Sequence, residues 1–343
     1  AIYKTNMNLQ LFPVQALNQN ITNILKKIIT ADILRNIKKG LNNQIRFIDQ
    51  NSHISNVAEI NKNIDGTCTV SLSAAFCQYL WLICDIAIKD FDIQTVIKSC
   101  KEYNITTENF KVYSKCILDI PKEKVKKQIS SEYPNIDVEQ YLDYLYRIID
   151  LMESNIIEQQ QNELEILSEL IDKSKKIDFD KLKKINLKGK YEEKTNSVYC
   201  YGIAFILLHE LAHFALGHMD KKLEDIDDET NADMAAFWNM YSDIPKAAKF
   251  SANCGILCAL FSLLYLNPNI EEDGIHPRED KRIFEVYDTI KCDNDKYTYL
   301  LTYMFDYWGN TYHVPNYPKS SSDIEKHLDN IRGFLQSYMS VTK

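Results

Sequence analysis

A mainly α-helical chain with one small β-sheet, an α+β fold weighted toward helix, is what the sequence predicts. Three observations carry this. Only nine glycines and eight prolines punctuate 343 residues, so turn signals are sparse. Apolar residues recur over long stretches without the strict alternation of half-buried strands. The β-branched alternation that marks strands is confined to two short runs, "QIRFID" at 44–49 and "TCTVSLS" at 67–73.

Residues 13–39 read as one helix, opened by Pro13 and closed before Gly40. The two strands follow, with Asp65-Gly66 supplying a turn before the second. "AAFCQYLWLICDIAIKDF" at 74–91 is a buried helix, and 91–135 predicts short helices broken at Pro121 and Pro134. The polar, leucine-spaced stretch 137–172 is a solvated surface helix or helical hairpin, with a partner-binding coiled coil as the alternative. The lysine-rich segment 172–194 is a candidate mobile connector. Beyond it, "SVYCYGIAFILLHELAHFALGHM" at 197–219 is hydrophobic nearly all round and predicts a buried helix of about six turns ending near Gly217.

The bulk numbers exclude some functions. A net charge of -8 argues against general nucleic-acid binding, which needs a basic face. No run of eighteen apolar residues suggests a membrane span; "GILCALFSLLYL" at 255–266 has the length of a core helix. "AIYKTNMNLQLFPVQ" lacks a basic start followed by an apolar run, so no signal peptide is expected. The nine cysteines form no C-x-x-C pair, which fits reduced thiols in a cytoplasm. Cys254 and Cys258 lie four apart on an apolar stretch without histidines nearby, a weak metal signature.

The chemistry concentrates in "HELAHFALGH" at 209–218, which holds three of the seven histidines. His209 and His213 are four apart, so a helix sets both rings on one face, able to converge on one ion. Glu210 stands one position on and can reach a water held there. Chance produces H-E-x-x-H in on the order of one such chain in a hundred. Here the triplet lies inside an apolar helix, where each unpaired ionisable group costs several kcal/mol, and that favours a metal. The pattern H-E-x-x-H-x-x-G-x-x-H does not fit, because position 216 is Leu and 219 is Met. His218 is then a helix-end residue more readily than a ligand.

The third ligand is sought in "DDETNADMAAFWNMY" at 227–241, a second helix that Asp227, Asp228 or Thr230 can cap. Glu229 and Asp233 share a face at i, i+4, and Ala232, Ala235 and Ala236 allow close packing. Glu229 is the candidate ligand. Asp233 is the candidate acceptor for the far ring nitrogen of a ligand histidine, fixing its tautomer. The alternative is a solvated acidic first turn favoured by the helix dipole.

"HELAH" followed by "ETNAD" resembles the glutamate-zincin peptidases, and "IHPREDKRI" at 275–283 resembles the "HP…R" stretch that follows in several such families. CAAX-type proteases share all three elements but have membrane spans. ImmA/IrrE-type proteases, the second choice, share the two zinc motifs but are usually smaller. The Lit-type phage-exclusion peptidases are the best match, also in "SLSAAFCQYLWLICDIAIKDFD" at 71–92. The resemblance covers 200–285 and, more loosely, 67–92. It implies a zincin-like helical core beside the small sheet, within a single catalytic domain spanning 1–343 whose zinc-site core is 196–290. It implies a cytoplasmic zinc metallopeptidase acting on a protein or peptide, with a role in phage defence, a translation factor among candidate substrates and an activating protein partner to consider. Neither nucleic acid nor membrane is expected as a partner.

In that arrangement Glu210 is the general base. His276 and Arg282 are candidates to stabilise the oxyanion, with Tyr312 and His313 behind them. The substrate lies extended along a sheet edge, with "TCTVSLS" as the expected edge. A regulatory or sensor protein that binds zinc on a protease fold without turnover is the alternative.

Overall fold

The structure, a computed structural model, describes residues 14, 17–28, 41–48, 57–62, 64, 68–102, 122–132, 134–135, 137–153, 156–171, 191–220, 225–266, 270, 276–294 and 296–338. Two compact units partition the chain, Ala1–Ile88 with Glu163–Lys343, and Lys89–Asn162.

In the first unit, α1 spans Asn18–Ile28 and buries Ile21, Leu25 and Ile28 along one stripe. The rest of the helix expected to Lys39 lies outside the described residues. Three strands follow: β1 (Leu41–Ile48), β2 (Ala58–Lys62) and β3 (Cys68–Ser73), in the order β1-β3-β2. β3 runs parallel to β1 and antiparallel to β2, with Ile60 and Ile45 both opposite Val70. "TCTVSLS" is therefore the central strand, not the edge expected from its sequence. Val70 and Leu72 are buried, and so are Thr69, Ser71 and Ser73; burial on both faces is what a central position imposes. The strand missed in the sequence is β2, whose "AEINK" interleaves polar residues and has little β-propensity.

β3 runs straight into α2 (Ala74–Glu102), longer than the expected 74–91. Its first turns bury Phe76, Tyr79, Leu80, Trp81, Leu82 and Ile83. Tyr79 Oη donates to the Ser262 carbonyl at 2.9 Å, and Trp81 Nε1 donates to Asn196 Oδ1 at 2.8 Å. These bonds tie α2 to the two helices at the centre of the unit. In the second unit, α3 (Lys122–Glu132) and α4 (Val138–Glu153) close a small core of Val125, Ile129, Tyr141, Leu142, Leu145 and Ile149. They are separated at Pro134, as its fixed φ and missing N–H predict; Pro121 lies outside the described residues. Asp137 Oδ1 accepts from the Glu139 and Gln140 amides and opens α4. The stretch 137–172 is thus two helices, α4 and α5 (Ile156–Ile171).

Returning to the first unit, α6 (Glu192–Ala215) begins five residues before the expected start. Glu192 and Glu193 suit the positive end of its dipole, and Thr195 Oγ1 donates to the buried Asp85 at 2.7 Å. Residues 172–190 of the expected connector lie outside the described residues. Next come α7 (Ile226–Asp243), α8 (Lys249–Leu266), α9 (Glu279–Ile290), α10 (Lys296–Thr311) and α11 (Ile324–Tyr338). Among the described residues two helices, Glu192–Ala215 and Lys246–Leu266, are by length and composition apolar enough to cross a membrane, although neither is an unbroken run of eighteen apolar residues. Most of each apolar stretch is buried inside the protein. Cys77, Cys84, Cys200, Cys254 and Cys258 are buried free thiols, and Cys100 and Cys292 are free thiols as well.

The site depends on how α6 meets α8. A Cβ on Gly255 would stand 2.5 Å from the Val198 carbonyl oxygen and 2.8 Å from the Gly202 amide nitrogen. A Cβ on Gly202 would stand 3.0 Å from the Gly255 carbonyl oxygen. The two helices touch backbone to backbone, and only glycine allows that distance. Gly255→Ala should therefore lower unfolding stability by roughly 1–3 kcal/mol, the usual cost of overpacking a closed core. Gly333→Ala, in α11 with nothing within 4 Å of its added methyl, should be neutral or gain up to about 1 kcal/mol from helix propensity. Chemical denaturation of both variants checks the contrast; equal effects would show that the crossing is not tight.

Candidate metal centre

Near its C-terminal end α6 carries His209, Glu210 and His213. Both histidines are buried, at 9% and 4% exposure. Their Nε2 atoms stand 3.1 Å apart, with the rings edge-on. Glu229, in the first turn of α7, faces both: Oε2 is 3.3 Å from His209 Nε2, and Oε1 is 3.2 Å from His213 Nε2. Nitrogen and oxygen donors about 2.0–2.1 Å from a tetrahedral zinc stand roughly 3.3 Å from one another. The three side chains thus form a buried donor triangle of the size a zinc ion requires, and among the described residues they are the cluster that can hold a metal.

α7 brings Glu229 there through its cap. Asp225 is the N-cap, and its carboxylate accepts from the Asp228 amide at 3.0 Å. The expected cap residues act otherwise: Thr230 Oγ1 donates back to the Ile226 carbonyl, and Asp227 and Asp228 lie inside the first turn. Ala232 and Ala236 are fully buried, while Ala235 is half-buried.

One turn on, Asp233 Oδ1 is 2.9 Å from His209 Nδ1, the ring nitrogen facing away from the triangle. Asp233 is itself held by Arg282 of α9, which donates Nε to Oδ2 at 2.5 Å and Nη2 to Oδ1 at 2.7 Å. Burial opposes ionisation of Asp233, but Arg282 and His209 outweigh it and hold the carboxyl down at about 2. Burial likewise opposes a charge on Glu229, and hydrogen bonds to His209 and His213 hold its pKa well below the usual carboxylate range. For His209, burial would lower the pKa, yet the bonds to Asp233 and Glu229 raise it to about 9.

A cleft of about 540 Å³ opens over the triangle, and Glu210, His276, Glu279 and Arg282 line it. Val57–Ile60 of the β2 region form one wall, and Phe205, Ile206 and Leu263 are among the apolar residues lining it. Glu210 is half-buried and His276 is exposed. Tyr312 and His313 are not part of the cleft wall. The Tyr312 hydroxyl bonds to the Tyr265 carbonyl, and His313 stands exposed past the end of α10 with φ 49°. His218 is buried but turns to the far side of His213. Sequence reading missed β2 and the engagement of Arg282 with Asp233. Asp65-Gly66 was a usable signal for β2, since a hairpin turn needs a strand on each side.

The paired charges set the pH response of the metal-free protein. His209 has a folded pKa above its unfolded value near 6.5, so its contribution is complete below about pH 6.5 and is lost as pH rises through about 9. Asp233 is depressed, so its contribution is present above about pH 4 and is lost as pH falls through about 2; Glu229 is depressed further, and its contribution is lost only in stronger acid. Chelator-treated protein should melt at progressively lower temperature from pH 6.5 to 9.5, and Asp233→Asn should flatten that decline. A wild-type profile with the same slope as the variant would show that the imidazolium–carboxylate pair is absent.

The model of the Peptidase U49 family matches residues 70–302. No curated protein and no solved structure matches the chain. The matched span, well over half of the sequence, runs from β3 into α10 and takes in the donor triangle, Glu210, Asp233, His276 and Arg282. On that evidence the chain belongs to the Peptidase U49 family, the Lit-type peptidases.

Proposed function

We propose that this peptidase is a zinc-dependent endopeptidase. The observation that supports this best is the triangle of His209, His213 and Glu229, with mutual separations of 3.1–3.3 Å beneath an open cleft. When bound, zinc supplies Lewis acidity, polarising a water and the scissile carbonyl. Glu210, beside His209 in the cleft, accepts a proton from the attacking water on its carboxylate and delivers it to the leaving amine nitrogen. His276, at the exposed rim, is the candidate donor to the carbonyl oxygen as negative charge grows there. Arg282 was a second candidate for that role. Two of its guanidinium nitrogens are spent on Asp233, so we assign it to holding Asp233, which in turn holds His209 Nδ1.

The substrate is a protein or peptide. β2 is the terminal strand of the described sheet and lines the cleft, so an extended chain pairs with the outer edge of β2. Likeness to Lit-type peptidases further supports a cytoplasmic role in bacterial phage defence, with cleavage of a host protein and a partner that triggers it.

Purified wild type should carry one zinc per chain, and His213→Ala and Glu229→Ala should lose it by elemental mass spectrometry. Asp233→Ala keeps three ligands but frees one ring, so it should bind zinc about 10–100-fold more weakly. Glu210→Gln should keep metal and fold but cleave nothing, because the amide cannot take up the proton. Proteomics of cells expressing wild type against Glu210→Gln should reveal new protein termini in wild type alone. Zinc-loaded wild type that generates no termini would replace this reading with a sensor role, and unchanged zinc in His213→Ala would remove the site.

A further inference from the structure

His218 lies outside the donor triangle, yet it is only 5% exposed and opens a short 3-10 turn, His218–Asp220. Its Nδ1 lies 3.2 Å from His213 Nδ1, with the two rings edge-on at 78°. Its other nitrogen, Nε2, lies 3.3 Å from Asp228 Oδ1. His213 therefore presents Nε2 to the triangle and Nδ1 to His218. A position behind His213 excludes His218 from the donor triangle itself.

Two ring nitrogens facing each other at 3.2 Å cannot both donate. A ligand histidine needs a free lone pair on the ligating nitrogen, which puts the His213 proton on Nδ1. That N–H donates to a lone pair on His218 Nδ1, so the neutral His218 ring carries its own proton on Nε2. That proton faces the Asp228 carboxylate. Donation is consistent in one direction only, from His213 through His218 to Asp228. Asp228 sits one residue before the ligand Glu229 in the same helical turn, where the N-terminus of α7 favours its negative charge.

We infer that His218 and Asp228 form a positioning relay that fixes the tautomer and ring angle of His213, as Asp233 and Arg282 do for His209. The inference rests on the metallopeptidase reading. Ligand histidines ordinarily give their second N–H to a carboxylate, a carbonyl or water. Here an imidazole is interposed, which carries the influence of a carboxylate on α7 through to a ring of α6.

The test is zinc affinity by chelator competition on the full chain, with circular dichroism and melting as controls, for His218→Leu and His218→Asn. Leucine fills the space without an acceptor, whereas the asparagine carbonyl can accept from His213 Nδ1–H. His218→Leu should lose about 10–100-fold in zinc affinity and alter the visible spectrum of the cobalt-substituted protein, and His218→Asn should recover most of both. Leucine and asparagine variants that hold zinc alike, at wild-type strength or equally weakened in step with melting temperature, would overturn the relay. A readout free of variants is the ¹⁵N-histidine spectrum of zinc-loaded wild type, which should show His213 protonated on Nδ1 and His218 on Nε2. His218 protonated on Nδ1 would overturn the proposal even if no variant folds. Loss of zinc in His213→Ala with none in His218→Leu removes the relay alone; wild type that binds no zinc removes the metallopeptidase reading as well.

Discussion

Burying ionisable groups in an apolar helix pair is the constraint to which the rest of this structure answers. Isolated, each such charge costs several kcal/mol, and the site holds many. Asp228, Glu229 and Glu279 are buried and Asp233 nearly so, with the buried guanidinium of Arg282 beside Asp233. The solution is a continuous chain of partners: Arg282 to Asp233, Asp233 to His209, His209 and His213 to Glu229, and His213 through His218 to Asp228. Each link satisfies two groups at once. In the metal-free protein Arg282 and His209, whose pKa is raised to about 9, offset part of that carboxylate charge.

Such a chain is only as exact as the helices that carry it. Gly202 and Gly255 let α6 and α8 touch along their backbones, while α2 is pinned to both by Trp81 and Tyr79. Closely packed interiors transmit small displacements rather than absorbing them. Side chains more than forty residues apart, such as Asp233 and Arg282, can then meet with bidentate geometry. The cleft wall is supplied by the opposite kind of element, a strand whose outer edge belongs to no partner among the described strands.

The parts of the site that follow helical periodicity were legible in the sequence. His209 with His213, and Glu229 with Asp233, repeat at four residues, and that spacing defines a common face whatever the tertiary structure. The buried helices were legible too, because hydrophobic residues on all sides leave a helix nowhere but the core. Contacts set by the path of the chain were not. His218 reaches the back of His213 because the helix stops at Ala215 and Gly217 turns the chain with φ 76°; no residue spacing encodes that. Likewise β3 reads as a good strand at any position, and its neighbours alone make it central. "AEINK" has a weak intrinsic preference and is a strand because β3 offers it a ladder.

The donor triangle lies on two consecutive helices, α6 and α7, and its outermost partner on α7 is Asp233. Contacts so close along the chain cost less loop-closure entropy than those that bridge distant segments. Arg282, on α9, and the cleft wall at β2 must be recruited from much further along the chain in either direction. On this topology the donor side chains are joined by contacts local in the chain, whereas the cleft above them is closed by segments far away in sequence on both sides.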